Sequence, residues 1–320
     1  MRMRTEGIHH IGLVTRDRTR SIPFYRDLLG LTLLRNESAG GARSYQVCFG
    51  DEQGSPGTLL ALTEIAGGSA GRSGVGGVHH FALGTSDDAA LLRWKRRLND
   101  CGVPASGPYD RGYFTSLYFR DPDGQIVEIA TEGPGYAIDE PADALGRETT
   151  YPPQRIIAGY RDEAAIAALT HPEPVREITR EMKLSGIHHI SAISPGLTEV
   201  GRFYEDVLGL SLVKRTINRD APDVPHWFWA NYRDGIVQKG SAFTIFGAPP
   251  SWSSARAGAG QASGVAFRAP DRDRLLAWKD YLLNRGVEVT TSVWDPAFES
   301  IQLQAPDGLQ IHLATDVPGF

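Results

Sequence analysis

The sequence predicts an α+β protein made of four copies of one β-α-β-β-β unit. Three repeated signatures predict it. Gly-Ile-His-His-Ile occurs at residues 7–11 and again at 186–190. Phe-Tyr-x-Asp-x-Leu-Gly-Leu occurs at 24–31 and 203–210. Leu-Leu-x-Trp-Lys at 91–95 and 275–279 is followed in both places by Pro-Asp-Gly, at 122–124 and 306–308. The first signature opens a run of apolar and β-prone residues bounded by turn residues, as a strand does, and the other two carry helical spacing and a turn.

The first unit spans 1–65. Gly7–Val14 reads as a strand and Ser21–Leu29 as a helix stopped by Gly30. Leu31–Leu34, Ser44–Gly50 and Gly57–Leu62 read as three further strands. Residues 66–77 are rich in Gly and Ser and read as a flexible link. The second unit, 76–132, opens with the strand Val78–Leu83. Its helix, Ala89–Asn99, sets Leu91, Leu92, Trp94 and Leu98 against a basic face. Pro122-Asp123-Gly124 is a turn with a mechanism, because Pro presets φ and Gly accepts φ > 0. Ile126–Thr131 is then the closing strand.

Residues 133–185 break the rhythm. Six prolines punctuate a polar stretch with one short helical piece, Glu163–Leu169, so this is a tail and linker. The pattern restarts at 186–250 and again at 262–316. One such unit is a half-open curved sheet that needs a partner to bury its concave face. Two units together close a cleft, so four units make two such pairs.

Composition narrows the function. The chain has 320 residues and a net charge of −5, so no basic surface points to nucleic acid. Two cysteines, Cys48 and Cys101, make no disulfide framework. No apolar run approaches the roughly 18 residues of a membrane span, and no signal-peptide apolar region follows Met1. The expectation is a cytoplasmic protein with no nucleic-acid or membrane partner. The helix 21–29 and the tail 133–185 are surfaces on which a homodimer could form.

Chemistry shows where the repeats differ. The second unit offers His79 and His80 on its first strand and Glu128 on its last. In the fourth unit Ser263 and Gly264 stand in place of the two histidines, and His312 in place of Glu128. Asp295 likewise replaces Arg111, and Gln302 replaces Tyr118. The scaffold is kept without these polar groups, so it does not require them. A histidine on a strand is commonly a satisfied structural residue, and Glu128 could pair with an arginine. Two observations favour a metal instead: His-His pairs recur at one place in three units, and a carboxylate in an apolar strand would cost several kcal/mol unpaired. Histidine plus carboxylate suits a divalent ion such as iron(II).

These features resemble the vicinal oxygen chelate superfamily, which holds glyoxalases, extradiol dioxygenases and bleomycin-resistance proteins. The run Asp110-Arg111-Gly112-Tyr113-Phe114 through Asp121-Pro122-Asp123-Gly124, with Glu128–Thr131 and Gly133–Glu140, is similar to two-domain dioxygenases that open hydroquinone rings. The resemblance implies four units paired into two vicinal-oxygen-chelate barrels. It implies His80 and Glu128 as metal ligands and His79, Arg111 and Tyr118 as groups around them. In that family the unit with this signature comes last, and its first unit resembles the third here, from Leu208 to Asn218 and Pro225 to Phe228. The halves are exchanged. If pairing follows that likeness, the third ligand is His189; if neighbours pair, it is His10. His9 and His188 are packing or outer groups.

The resemblance implies an Fe(II)-dependent ring-cleaving dioxygenase, with Mn(II) as an alternative metal, acting on a hydroquinone- or catechol-like aromatic and O2. His226, Phe114 and Trp227, with Trp229, are expected to line the substrate pocket. Two rivals remain. A glyoxalase-type isomerase or lyase wants a fourth ligand, but the equivalent places hold Ala61 and Thr244. A bleomycin-resistance-like binding protein needs no His80–Glu128 pair.

Overall fold

The computed structural model describes residues 2–41, 44–249, 251–292 and 298–318. Asp295, aligned above with Arg111, lies outside the described residues.

Unit one supplies β1 (Ile8–Thr15), α1 (Arg18–Ile22), β2 (Thr32–Gly41), β3 (Ser44–Gly50) and β4 (Leu59–Ile65). Helix α1 continues as a wider π-helical turn over Pro23–Leu28. Asp17 caps it by accepting from the Thr19 amide, and Gly30 beyond its end has φ +75°. Unit two supplies β5 (Val78–Thr85), α2 (Asp88–Asp100), β6 (Ser106–Asp110), β7 (Thr115–Arg120) and β8 (Ile126–Thr131). After the tail helix α3 (Glu163–Ala168), unit three supplies β9 (Ile187–Ser194), α4 (Leu197–Arg202), β10 (Ser211–Ile217) and β11 (Pro225–Ala230). A small hairpin, β12 (Tyr232–Arg233) and β13 (Ile236–Val237), precedes β14 (Ala242–Gly247). Unit four supplies β15 (Ala262–Arg268), α5 (Arg272–Leu283), β16 (Thr290–Ser292), β17 (Phe298–Gln304) and β18 (Gln310–Pro318).

The units pair inner with inner and outer with outer. One eight-stranded sheet runs β10-β11-β14-β9-β5-β8-β7-β6, joining units two and three. The other runs β16-β17-β18-β15-β1-β4-β3-β2, joining units one and four. In each sheet the first strands of the two units meet antiparallel, β5 with β9 and β1 with β15. The exchanged pairing is therefore the observed one. The helices cover the convex faces, where Trp94, Trp278, Tyr25 and Tyr204 are fully buried. Burying each such aromatic contributes about 1.5–3 kcal/mol.

The inter-unit segment 66–77 is not the free link its composition suggests. It pairs with the corresponding segment between units three and four, through Ala70–Ala259, Arg72–Arg256 and Val75–Ser254 bridges. The Gly-rich run suits this close approach: a Cβ on Gly74 would stand 2.3 Å from the Ser253 carbonyl.

The 133–185 segment wraps the inner barrel. The fully buried Lys214 of β10 donates to Asp139 and Glu140. Thr150 and Ala158 donate backbone N–H bonds to Arg215 and Arg219. Lys95 of α2 donates to the carbonyls of Ile166, Ala167 and Leu169, satisfying the open end of α3. Among the described residues no helix is long and apolar enough to cross a membrane.

Candidate metal centre

Register builds the site. One lateral row of the inner sheet reads Tyr118–Glu128–Ala82–His189, because each is the direct partner of the next across β7, β8, β5 and β9. Ala82 is the spacer that leaves room between the carboxylate and the imidazole. His80 lies two residues before Ala82 on β5, hence on the same face. The result is a buried cluster of His80, Glu128 and His189.

His80 Nε2 and Glu128 Oε2 are 2.9 Å apart, and His189 Nε2 and Glu128 Oε2 are 3.3 Å apart. The two Nε2 atoms are also 3.3 Å apart. Donors on one face of an octahedral ion with bonds of about 2.1 Å stand roughly 3.0 Å from one another, so this triangle has the size of a metal-binding face. Glu128 is fully buried and its Oε1 has no hydrogen-bond partner. A buried carboxylate left so needs a cation.

The outer histidines fit as well. His79 Nδ1 and His80 Nδ1 are 2.7 Å apart, and His188 Nδ1 and His189 Nδ1 2.8 Å. Each contact has room for one proton. Placed on the inner imidazole, it leaves His80 Nε2 and His189 Nε2 as bare lone pairs facing Glu128. Burial, then the neighbouring His80, lowers the His79 pKa to about 3. Burial, then His189, does the same for His188, also to about 3, so both accept rather than carry charge. Burial alone would push the Glu128 carboxyl up, but a proton on the facing imidazoles, His189 first, holds it well below the usual carboxylate range; a divalent cation would take that proton's place and leave both nitrogens as bare donors. These residues fit a divalent metal through two imidazoles and one carboxylate, with one side left open.

The open side faces a cavity of about 1020 Å³ lined by His79, His80, His189, Arg111, Tyr118, Phe114 and His226. Arg111 is buried, with Nη1 3.0 Å from Asp220 Oδ2, and its guanidinium carbon lies 5.0 Å from the Tyr118 ring centre. Burial pushes the Tyr118 hydroxyl up despite Arg111. His226 Nε2 lies 2.8 Å from Thr244 Oγ1, which in turn lies 2.7 Å from Ser191 Oγ.

Two expectations need correction. His10 lies on β1 in the other sheet, beside Ala266 and one strand from His312, and cannot complete this cluster. There Gly264 takes the place of His80, and a Cβ on it would stand 3.2 Å from the His312 ring. Trp227 does not line the cavity. It follows His226 on β11 and so points to the convex face, where it packs on the core under the Arg215 guanidinium. Trp229 lies on that face too, with Nε1 donating to Glu205. The cavity's aromatics on this side are instead Phe228 and Phe246. Phe228 was legible from the two-residue period starting at His226. Arg219 and Asp220 also line the cavity; they sit in a loop whose sequence carries no periodic signal.

The sequence profile of the Glyoxalase/Bleomycin resistance protein/Dioxygenase superfamily matches residues 7–129 and 186–313, and the chain belongs to that superfamily. A Bacillus subtilis (strain 168) protein provisionally named ring-cleaving dioxygenase MhqA is 24% identical over 321 residues, covering 99% of this chain and 89% of that protein. The chlorohydroquinone/hydroquinone 1,2-dioxygenase of Sphingobium indicum is 29% identical over 109 residues, 34% of this chain and 33% of that enzyme. A crystal structure of a Bacillus subtilis protein provisionally described as a dioxygenase superposes with a TM-score of 0.75 at 22% identity, over 99% of this chain and 87% of that one. Relatives of this chain are thus named ring-cleaving dioxygenases.

Proposed function

We propose that the protein is an iron(II)-dependent dioxygenase that opens the ring of a hydroquinone- or catechol-like substrate. The observation that carries this reading is the three-donor face of His80, Glu128 and His189, with one side open to a large cavity. When bound there, iron(II) lets an aromatic diol and O2 react in one site. Similarity to a hydroquinone 1,2-dioxygenase supports this substrate class.

The chain's own groups supply binding and proton handling. Phe114, Phe228 and Phe246 offer apolar faces to the ring. His226 is neutral, because burial holds its pKa well below the usual value, so it offers a ring nitrogen as hydrogen-bond acceptor to a phenolic hydroxyl. Tyr118, kept protonated, donates a hydrogen bond, and Arg111 stabilises developing negative charge on oxygen. His79 orients His80.

Thr244 supports this reading over a four-ligand isomerase. It stands where a second carboxylate would be needed, and its hydroxyl is engaged by His226 and Ser191. The test is O2 uptake by protein loaded anaerobically with Fe(II), using hydroquinones and catechols. Ring-opened product at one O2 per substrate is expected, and none from His80→Ala. No uptake with any diol, despite bound iron, would overturn the reading.

A further inference from the structure

Arg219 is a buried cation without a counter-ion. It is 5% exposed and lines the same cavity as the triad. Its Nη1 donates to the Ile217 carbonyl at 2.9 Å and stands 3.4 Å from Thr216 Oγ1. Its Nε is buried with no hydrogen-bond partner. The nearby carboxylate, Asp220, is already shared by Arg111 and Arg161, at 3.0 and 2.8 Å. Among the described residues no carboxylate forms an ion pair with Arg219. Its guanidinium carbon lies 4.8 Å from the Tyr113 ring centre, and its charge is the largest electrostatic influence on His226 after burial. It therefore stands near Tyr113 and His226 on the cavity wall.

Buried charges in folded proteins are paired or bind ions, because an isolated one costs several kcal/mol. Here the cavity that Arg219 lines is open to such a partner. Arg111 adds a second buried guanidinium with an unpartnered Nε on the same wall. Arg111 and Arg161 share Asp220, Arg161 also pairs with Glu163 at 2.6 Å, and Arg219 has no carboxylate, so these three guanidinium groups and two carboxylates carry a net positive charge. Guanidinium is the side chain best matched to a planar carboxylate.

We propose that Arg219 binds a carboxylate carried by the aromatic substrate, so that the site takes an aromatic acid bearing two hydroxyls in preference to an uncharged diol. This rests on the ring-cleaving reading for the hydroxyls; the carboxylate subsite rests on Arg219 alone. The subsite also predicts that stability and binding part company. Arg219 is desolvated for a ligand rather than for the fold, so an apolar side chain of similar length should not weaken the ligand-free protein.

The test is anaerobic calorimetry of the Fe(II)-loaded full chain with 2,5-dihydroxybenzoate, its uncharged amide, and benzoate, alongside thermal unfolding without ligand. The wild type is expected to bind the dihydroxybenzoate at least tenfold tighter than the amide. Arg219→Met should abolish that gap and the benzoate binding, with melting temperature unchanged or raised and iron content retained. Arg219→Lys should restore part of the gap. Equal binding of acid and amide by the wild type would overturn the proposal, as would a gap that survives Arg219→Met. A melting temperature lowered in Arg219→Met would mean that Arg219 serves the fold. A gap seen with an unsaturated aliphatic dicarboxylate but not with aryl acids would overturn it in favour of a product-release site. Benzoate lacks the hydroxyls, so its Arg219-dependent binding would stand even if no diol were ever cleaved.

Discussion

His189 Nε2 and Glu128 Oε2 stand 3.3 Å apart although they come from different repeats, one on the first strand of unit three and the other on the last strand of unit two. The contact exists because Ala82 pairs with both residues across adjacent strands. Removing either donor should empty the site, whereas His10 lies in the other sheet. His189→Ala and Glu128→Gln are expected to lower iron affinity more than a hundredfold, and His10→Ala to leave it within about twofold. Elemental analysis after dialysis checks this; iron lost from His10→Ala but kept in His189→Ala would refute it.

His226 and Trp227 are neighbours with opposite fates. His226→Ala is expected to reduce kcat/KM by about 10²–10³, the usual worth of one preorganised hydrogen-bonding group at a reacting oxygen. Trp227→Leu should leave kcat/KM within about threefold and lower stability by roughly 1–3 kcal/mol, as other large-to-smaller core changes do. Steady-state kinetics and urea unfolding separate the two.

Lys214 is fully buried against Glu140, itself 9% exposed, and Asp139. Lys214→Met would leave Glu140 without its cation, at an expected cost of about 3–5 kcal/mol. Adding Glu140→Gln should recover much of the loss, since the orphaned charge goes with it. Urea midpoints of the single and double variants measure both steps.

The outer barrel predicts an acid response. Burial lowers His9 and His312 to about 4, and His10 well below its usual value. Unfolded histidines bind protons near 6.5, so below that pH the unfolded chain takes up protons that the folded chain refuses. Stability should hold above about pH 6.5 and fall towards pH 4, by on the order of 1 kcal/mol per pH unit for each histidine. His312→Gln should flatten the slope. An unchanged unfolding free energy from pH 7 to 5 would contradict this.

The units, their strands and the polar set around His80 were legible because period, turns and repeat differences are local signals. Which unit pairs with which is not local. His10 and His189 sit in near-identical strands, and only the antiparallel meeting of β5 with β9 separates them. Aromatic character alone does not assign Trp227 to the cavity; the alternation along β11 from His226 sets it on the opposite side. The 66–77 segment looked free because small residues signal flexibility when nothing opposes them, yet here they permit close contact with a second chain segment. Arg219 carries no signal in sequence, since its meaning lies in the counter-ion it lacks.

The pairing of units two with three inside units one with four nests the barrels like brackets. During synthesis the inner barrel has all of its strands once β14 is made, while unit one waits with an uncovered concave face until unit four follows. The half-built chain thus passes through a stage in which the barrel with the triad is closed and a lone sheet stands open, with β1 unpaired along one edge. That stage is where a chaperone or a second nascent chain has something to bind. A circular permutant that begins at unit four and runs through unit one to unit three would close its barrels one after the other, and its refolding yield against the natural order would report the burden of nesting.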